Sequence, residues 1–243
     1  MIEIKNLCKS YGDKKAVNSI SFNVQKGEIL GLLGPNGAGK STTMNMITGY
    51  ISISAGCVLV NGVDVLENPM EAKKMIGYLP EQPPLYKEMT VWEYLSFVYD
   101  LKKVKLNMSK KEHIEDVLKT VSITDVKNRK IKNLSKGYKQ RVGFAQALIG
   151  KPEILILDEP TVGLDPNQIM EIRDVIRSLK NEHTIIFSTH ILSEVCAVCD
   201  RVVIINEGVI ACEKAKEEIQ IEELEKIFYT LNVKGGSLNE GDI

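Results

Sequence analysis

Gly34-Pro35-Asn36-Gly37-Ala38-Gly39-Lys40-Ser41-Thr42 is the stretch on which the reading of this sequence turns. It satisfies the pattern G-x-x-x-x-G-K-[S/T], and its surroundings matter as much as its letters. Ahead of it, Glu28-Ile29-Leu30-Gly31-Leu32-Leu33 is apolar after its first residue, as a strand buried on both faces should be. Behind it, Ser41 to Thr48 reads as a helix that Gly49 can end. Strand, loop and helix in that order separate a phosphate-binding loop from an incidental glycine-rich turn. The spacing has a physical reason. Residues poor in side chain let successive backbone N–H groups converge on phosphate oxygens, and the helix N-terminus adds its positive end. Lys40 then reaches the β- and γ-phosphates of a nucleotide such as ATP, and the Ser41 hydroxyl takes a place on Mg²⁺.

Working outward, Ile2 and Ile4, then Ile20, Phe22 and Val24, alternate with polar residues, which predicts an antiparallel sheet wet on one face. Val58 to Val60 and Met75 to Leu79 are further strands. From Pro83 the pattern turns helical. Thr90-Val91-Trp92-Glu93 and Ser109-Lys110-Lys111-Glu112 are capping boxes, each followed by an apolar stripe, and a third helix starts at Ser135. After Pro152 the sheet returns, with strands at Ile154 to Leu157, Thr184 to Phe187 and Val202 to Ile205. Between the first two, a helix is capped by Asp165 with Pro166 at its first position. The fold expected is α/β: a P-loop NTPase (RecA-like) mixed sheet core with an N-terminal antiparallel β subdomain and an inserted α-helical subdomain. The whole chain, 1–243, reads as one such domain. Residues 1–82 and 151–212 form the core, 83–150 the helical subdomain and 213–243 a C-terminal tail, frayed from Gly235.

Ile154-Leu155-Ile156-Leu157 delivers Asp158-Glu159 to the carboxyl edge of the sheet, where ligands of open α/β sheets collect. Asp158 suits the Mg²⁺ shell. Glu159, one residue beyond the strand, is the better general base for a water in line with the γ-phosphate. Composition fits an ordinary globular chain, 44 % apolar and 26 % charged. The net charge of −1 gives no sign of a nucleic-acid partner. Five cysteines at scattered spacings suit free thiols in a reducing compartment. Cys196-Ala197-Val198-Cys199 stands without the second pair that a structural zinc site needs. No apolar run nears the roughly 18 residues of a membrane span, and the start lacks a basic segment followed by an apolar one. A cytoplasmic chain is expected.

With these pieces assembled, the sequence resembles the nucleotide-binding subunit of an ABC (ATP-binding cassette) transporter, from about residue 2 to about 212. The distinguishing segment is Leu134-Ser135-Lys136-Gly137-Tyr138-Lys139-Gln140-Arg141, at the position of the family's signature. In the family this segment closes on ATP held by the Walker A loop of a partner in a head-to-tail dimer, which assigns Ser135 and Gly137 to the nucleotide. Lys136 stands where the family commonly has glycine and Tyr138 where it has glutamine. The Ser-Lys-Gly-Tyr variant is similar to ATPases of the drug-export and gliding-motility branch.

The resemblance carries further residues over one at a time. Tyr11 matches the aromatic that stacks on adenine, although a tyrosine in a turn is by itself commonly a surface residue. Gln82 matches the Q-loop glutamine, an oxygen ligand to Mg²⁺ at the join of sheet and helical lobe. Asp158 matches the Walker B aspartate, Asp165 in Gly163-Leu164-Asp165 the D-loop, and His190 the switch histidine on the γ-phosphate. His113 and His183 match nothing and are read as surface residues. The implied activity is ATP hydrolysis that powers a separately encoded transmembrane permease, an exporter, with a second copy or a paralogous cassette as partner. The chain would then sit at the cytoplasmic face of the membrane. A soluble scaffold ATPase of the same family, such as those assisting iron–sulfur cluster assembly, is the competing reading.

Overall fold

The computed structural model describes residues 1–234, with side chains to 230; the tail expected to fray from Gly235 lies outside them. Strands β1 (Ile2–Tyr11) and β2 (Lys14–Val24) open the chain, followed by β3 (Ile29–Leu33) and helix α1 (Lys40–Ile47). Next come β4 (Ala55–Val60), β5 (Val63–Asp64), α2 (Pro69–Met75) and β6 (Ile76–Leu79). Helices α3 (Val91–Leu101), α4 (Lys110–Thr120) and α5 (Lys136–Leu148) all fall between β6 and β7 (Ile154–Asp158). The chain continues through α6 (Pro166–Leu179), β8 (Thr184–Thr189), α7 (Leu192–Val198), β9 (Arg201–Asn206), β10 (Val209–Ala215) and α8 (Ile221–Lys234).

Two sheets form. One is antiparallel, in the order β2-β1-β4-β5; the other runs β10-β9-β3-β8-β7-β6, parallel except for the β9–β10 hairpin. Strand side chains alternate between faces, so the larger sheet feeds two cores. Leu33, Leu157, Phe187 and Ile204 pack with α3 to α7 on one face. Leu32, Ile156, Ile186 and Val203 meet Met44, Ile47 and the antiparallel sheet on the other. Residues 29–33 and 154–157 are buried throughout, which is why their sequence runs apolar instead of alternating.

Both expected capping boxes are made: Thr90 and Ser109 accept from the amides of Glu93 and Glu112, whose carboxylates return to the cap amides. Asp165 caps α6 by accepting from the Gln168 amide at 3.0 Å. Three local readings differ from the sequence. Helix α2 has seven residues and buries only Ala72, too little for an apolar stripe to announce it. Residues 221–234, read as part of a tail, form α8, which sets Leu224 and Ile227 into the core. His113 and His183 are buried instead of exposed, because each serves a backbone group at a turn. His113 Nε2 accepts from the Gly150 amide at 3.0 Å, and His183 Nδ1 lies 2.6 Å from the Pro152 carbonyl.

Candidate functional site

The order of the larger sheet makes the site. β8 lies between β3 and β7, with Leu32 level with Ser188, Leu33 with Thr189, and Asp158 with Ser188. The loop after β3, the acidic pair after β7 and the histidine after β8 therefore leave the sheet side by side.

Gly39 stands at the N-cap of α1 at φ 110°, left-handed, with no side chain to cap the helix. The first backbone bond of the turn is Thr43 N to Gly39 O, at 2.9 Å, so the amides before it are left for an anion. A Cβ on Gly39 would come within 2.6 Å of the Ala16 carbonyl, so close approach and positive φ both call for glycine here. Lys40 is 4 % exposed. Its ammonium donates to the Gly34 and Pro35 carbonyls at 2.8 and 3.1 Å and sits 3.4 Å from Glu159 Oε1.

Glu159 is 6 % exposed and holds a left-handed backbone, φ 48°, which costs a residue with a side chain roughly 1–2 kcal/mol. Two bonds fix it. Its amide donates to Ser188 Oγ at 2.9 Å, and its Oε2 lies 2.8 Å from His190 Nδ1. A carboxylate partner assigns the hydrogen to Nδ1, which leaves Nε2 a donor only when the ring is charged.

Asp158 is 3 % exposed. Its Oδ1 accepts from Ser188 Oγ at 2.6 Å and from Ser41 Oγ at 3.1 Å, and no basic side chain among the described residues pairs with it. Burial raises its carboxyl above the usual range against the opposing pull of those two hydroxyls. A buried carboxylate beside a serine hydroxyl, without a counter-cation, is a donor set that a hard divalent ion would suit.

Tyr11, Asn36, Gly37, Gly39, Lys40, Ser41, Thr42, Glu159 and His190 line one cleft of about 630 Å³. Gly34, Pro35 and Ala38 form its frame: a Cβ on Gly34 would collide with the Ile205 carbonyl, and Ala38 N donates to Pro35 O at 3.2 Å. Tyr11 is 52 % exposed at the rim, with Lys9 Nζ 5.1 Å from its ring centroid. Gln82 does not line this cleft; Glu81 does, while Gln82 lines a neighbouring cavity together with Ser41 and Asp158. Ser135, Gly137 and Asp165 stand outside the cleft as well. Ser135 caps α5, Gly137 packs against the Gln168 side chain, and Lys136 Nζ lies over Gly163.

Sequence reasoning missed Lys14, which lines the cleft, and Ser188, which joins Asp158 to the Glu159 amide. A serine at the end of an apolar strand carries no signal of its own; only the pairing of β8 with β7 shows its use.

A phosphate loop and a Lys–Glu–His chain in one cleft, with the buried Asp158–Ser41 pair beside it, form a nucleotide-hydrolysing constellation, and the known proteins agree. The model of the family described as ABC transporter matches residues 17–162. The chain belongs to the ABC transporter family. Among relatives of this cassette, an uncharacterized ABC transporter ATP-binding protein of Bacillus subtilis, YxlF, is 40 % identical over 234 residues, 96 % of this chain and 77 % of its own. The lantibiotic transport ATP-binding protein SrtF of Streptococcus pyogenes is 40 % identical over 229 residues, 94 % and 96 % of the two chains. Among solved structures, a dimeric ATP-binding cassette in a post-hydrolysis state with ADP and Pi superposes with a TM-score of 0.81. It is 26 % identical over 89 % of this chain and 99 % of that one. The cassette is a nucleotide-binding ATPase with the α/β architecture expected of it.

Proposed function

We propose that this chain is the ATP-hydrolysing subunit of an exporter, working on a separate transmembrane permease at the cytoplasmic face of the membrane. The observation that carries the reading is the convergence of Lys40, Glu159 and His190 in one cleft beside the Ser41–Asp158 pair. The lantibiotic transport relative and the Ser135-Lys136-Gly137-Tyr138 variant favour export. Among the described residues no helix is long and apolar enough to cross a membrane.

In this reading the amides of Gly37 and of residues 39–42 and the Lys40 ammonium bind the phosphate tail, and Tyr11 stacks on the base. Ser41 and Asp158, with Gln82 nearby, would hold Mg²⁺, which when bound would neutralise charge gathering on the phosphate oxygens. ATP draws Lys40 off Glu159. The freed carboxylate then accepts a proton from the attacking water, while His190 donates Nδ1–H to Glu159 and, as the charged ring, Nε2–H to the γ-phosphate. Ser135, Gly137 and Asp165 do not reach the cleft of their own chain, which supports a second copy or a paralogous cassette set head-to-tail, two Mg·ATP between them. Loss of the bridging γ-phosphate removes contacts made only in the closed state, and the pair opens.

The permease would dock where Tyr86 stands half-exposed against Tyr94 and Phe97, at ring distances of 6.0 and 5.4 Å. Purification of the Glu159→Gln variant from detergent-solubilised native membranes with ATP tests the assignment. A polytopic membrane protein in comparable amount is the result expected. A soluble complex in its place would turn the reading toward the scaffold ATPase.

A further inference from the structure

His190 follows β8 on a sharp corner, and the residues on either side of it are tied to one carboxylate. Glu194, in the first turn of α7, is 1 % exposed, and its Oε2 accepts from Thr189 Oγ1 at 2.6 Å. The same Thr189 hydroxyl oxygen accepts from the Ile191 amide at 3.0 Å. Residues 189 and 191 are thus pinned to a single point while 190 projects toward Glu159. The other oxygen, Glu194 Oε1, is buried with no hydrogen-bond partner. A buried carboxylate with one oxygen bare is an expensive way to end a strand, since a neutral side chain could accept one hydroxyl. Nor does Glu194 close a capping box on α7: the amide of the N-cap, Ile191, donates to Thr189 Oγ1 and not to the carboxylate.

We propose that Glu194 is a positioning residue that, through Thr189, holds the corner on which His190 presents Nδ1 to Glu159. This rests on the reading of His190 as the γ-phosphate contact. The buried charge makes the strap stiff: a hydroxyl bonded to a carboxylate is held more strongly than one bonded to a neutral acceptor. With the strap cut, the imidazole keeps its chemistry but samples other orientations, and a group misplaced by about 1 Å can cost roughly a hundredfold in rate.

Steady-state ATPase of the full chain with Mg·ATP is the readout. Glu194→Ala and Thr189→Val should each lower kcat tenfold or more with KM within about threefold, because the cleft that binds the triphosphate is untouched. Glu194→Gln, which keeps an acceptor for Thr189 but not the charge, should restore only part of the lost rate. In a His190→Ala background Glu194→Ala should cost nothing further, since there is no ring left to aim. Additive losses with His190→Ala already impaired would overturn the proposal alone, as would a KM rise without a fall in kcat. Near-normal ATPase in His190→Ala itself would overturn the reading of His190, and the proposal with it. If Glu194→Ala does not fold, Thr189→Val decides by the same criteria.

Discussion

Lys40 Nζ lies 3.4 Å from Glu159 Oε1, so the phosphate-loop lysine and the carboxylate after β7 neutralise each other. Both are buried, and a buried charge left alone is costly. Lys40→Met should therefore abolish nucleotide binding and also lower unfolding stability by about 3 kcal/mol, the low end for a broken buried pair, because His190 still holds the other oxygen. Glu159→Gln should lower turnover by about 10²–10⁴-fold, the worth of a general base, while ATP still binds. The double variant should regain most of the lost stability in urea unfolding without regaining binding. Full additivity of the two losses would show that the pair is not coupled.

Asp158 carries a cost that its neighbours only partly offset. Its carboxyl is raised above 3.8 by burial, so the folded chain binds that proton at a higher pH than the unfolded one. The ionised side chain then opposes folding at neutral pH, and the opposition fades as pH falls through the folded-state value. Asp158→Asn, which keeps an acceptor for Ser41 and Ser188, should raise Tm at pH 7 and lose that advantage in the acid range, while hydrolysis collapses. A lowered Tm at pH 7 would show that the two hydroxyls outweigh burial.

Gly39→Ala should cost about 1–3 kcal/mol in chemical denaturation, as strain at positive φ usually does. The contact with the Ala16 carbonyl makes relief without moving the loop difficult. Because Gly39 O accepts both the amide and the hydroxyl of Thr43, ATP affinity should fall with stability.

Tyr11→Ala should weaken ATP binding by roughly 2–10-fold, equivalent to about 0.5–1.5 kcal/mol for an aromatic stacking contact, with Phe retaining most of it. Titration with a fluorescent ATP analogue measures this. Equal affinity in Tyr11→Ala would remove the ring from the site.

Tyr86→Ala should leave the isolated ATPase unchanged and uncouple it from transport in reconstituted vesicles, since the ring is exposed and does not line the cleft. Unchanged transport would move the docking surface elsewhere.

What the sequence by itself determined is local. Gly34 to Thr42 declares its chemistry because phosphate binding needs backbone amides and small residues in consecutive order. The caps at Thr90, Ser109 and Asp165 declare themselves because capping is a contact between residues three apart. The apolar runs at 29–33 and 154–157 give two buried strands, but an apolar run does not say which strand lies beside it. That was left to tertiary structure. Strand order set β8 between β3 and β7, and only then did Ser188 become the bridge between Asp158 and Glu159, and Glu194 the strap of the His190 corner. The surface reading of His113 and His183 fails for the same reason. Their partners, Gly150 and Pro152, lie 37 and 31 residues away, beyond the reach of any local pattern.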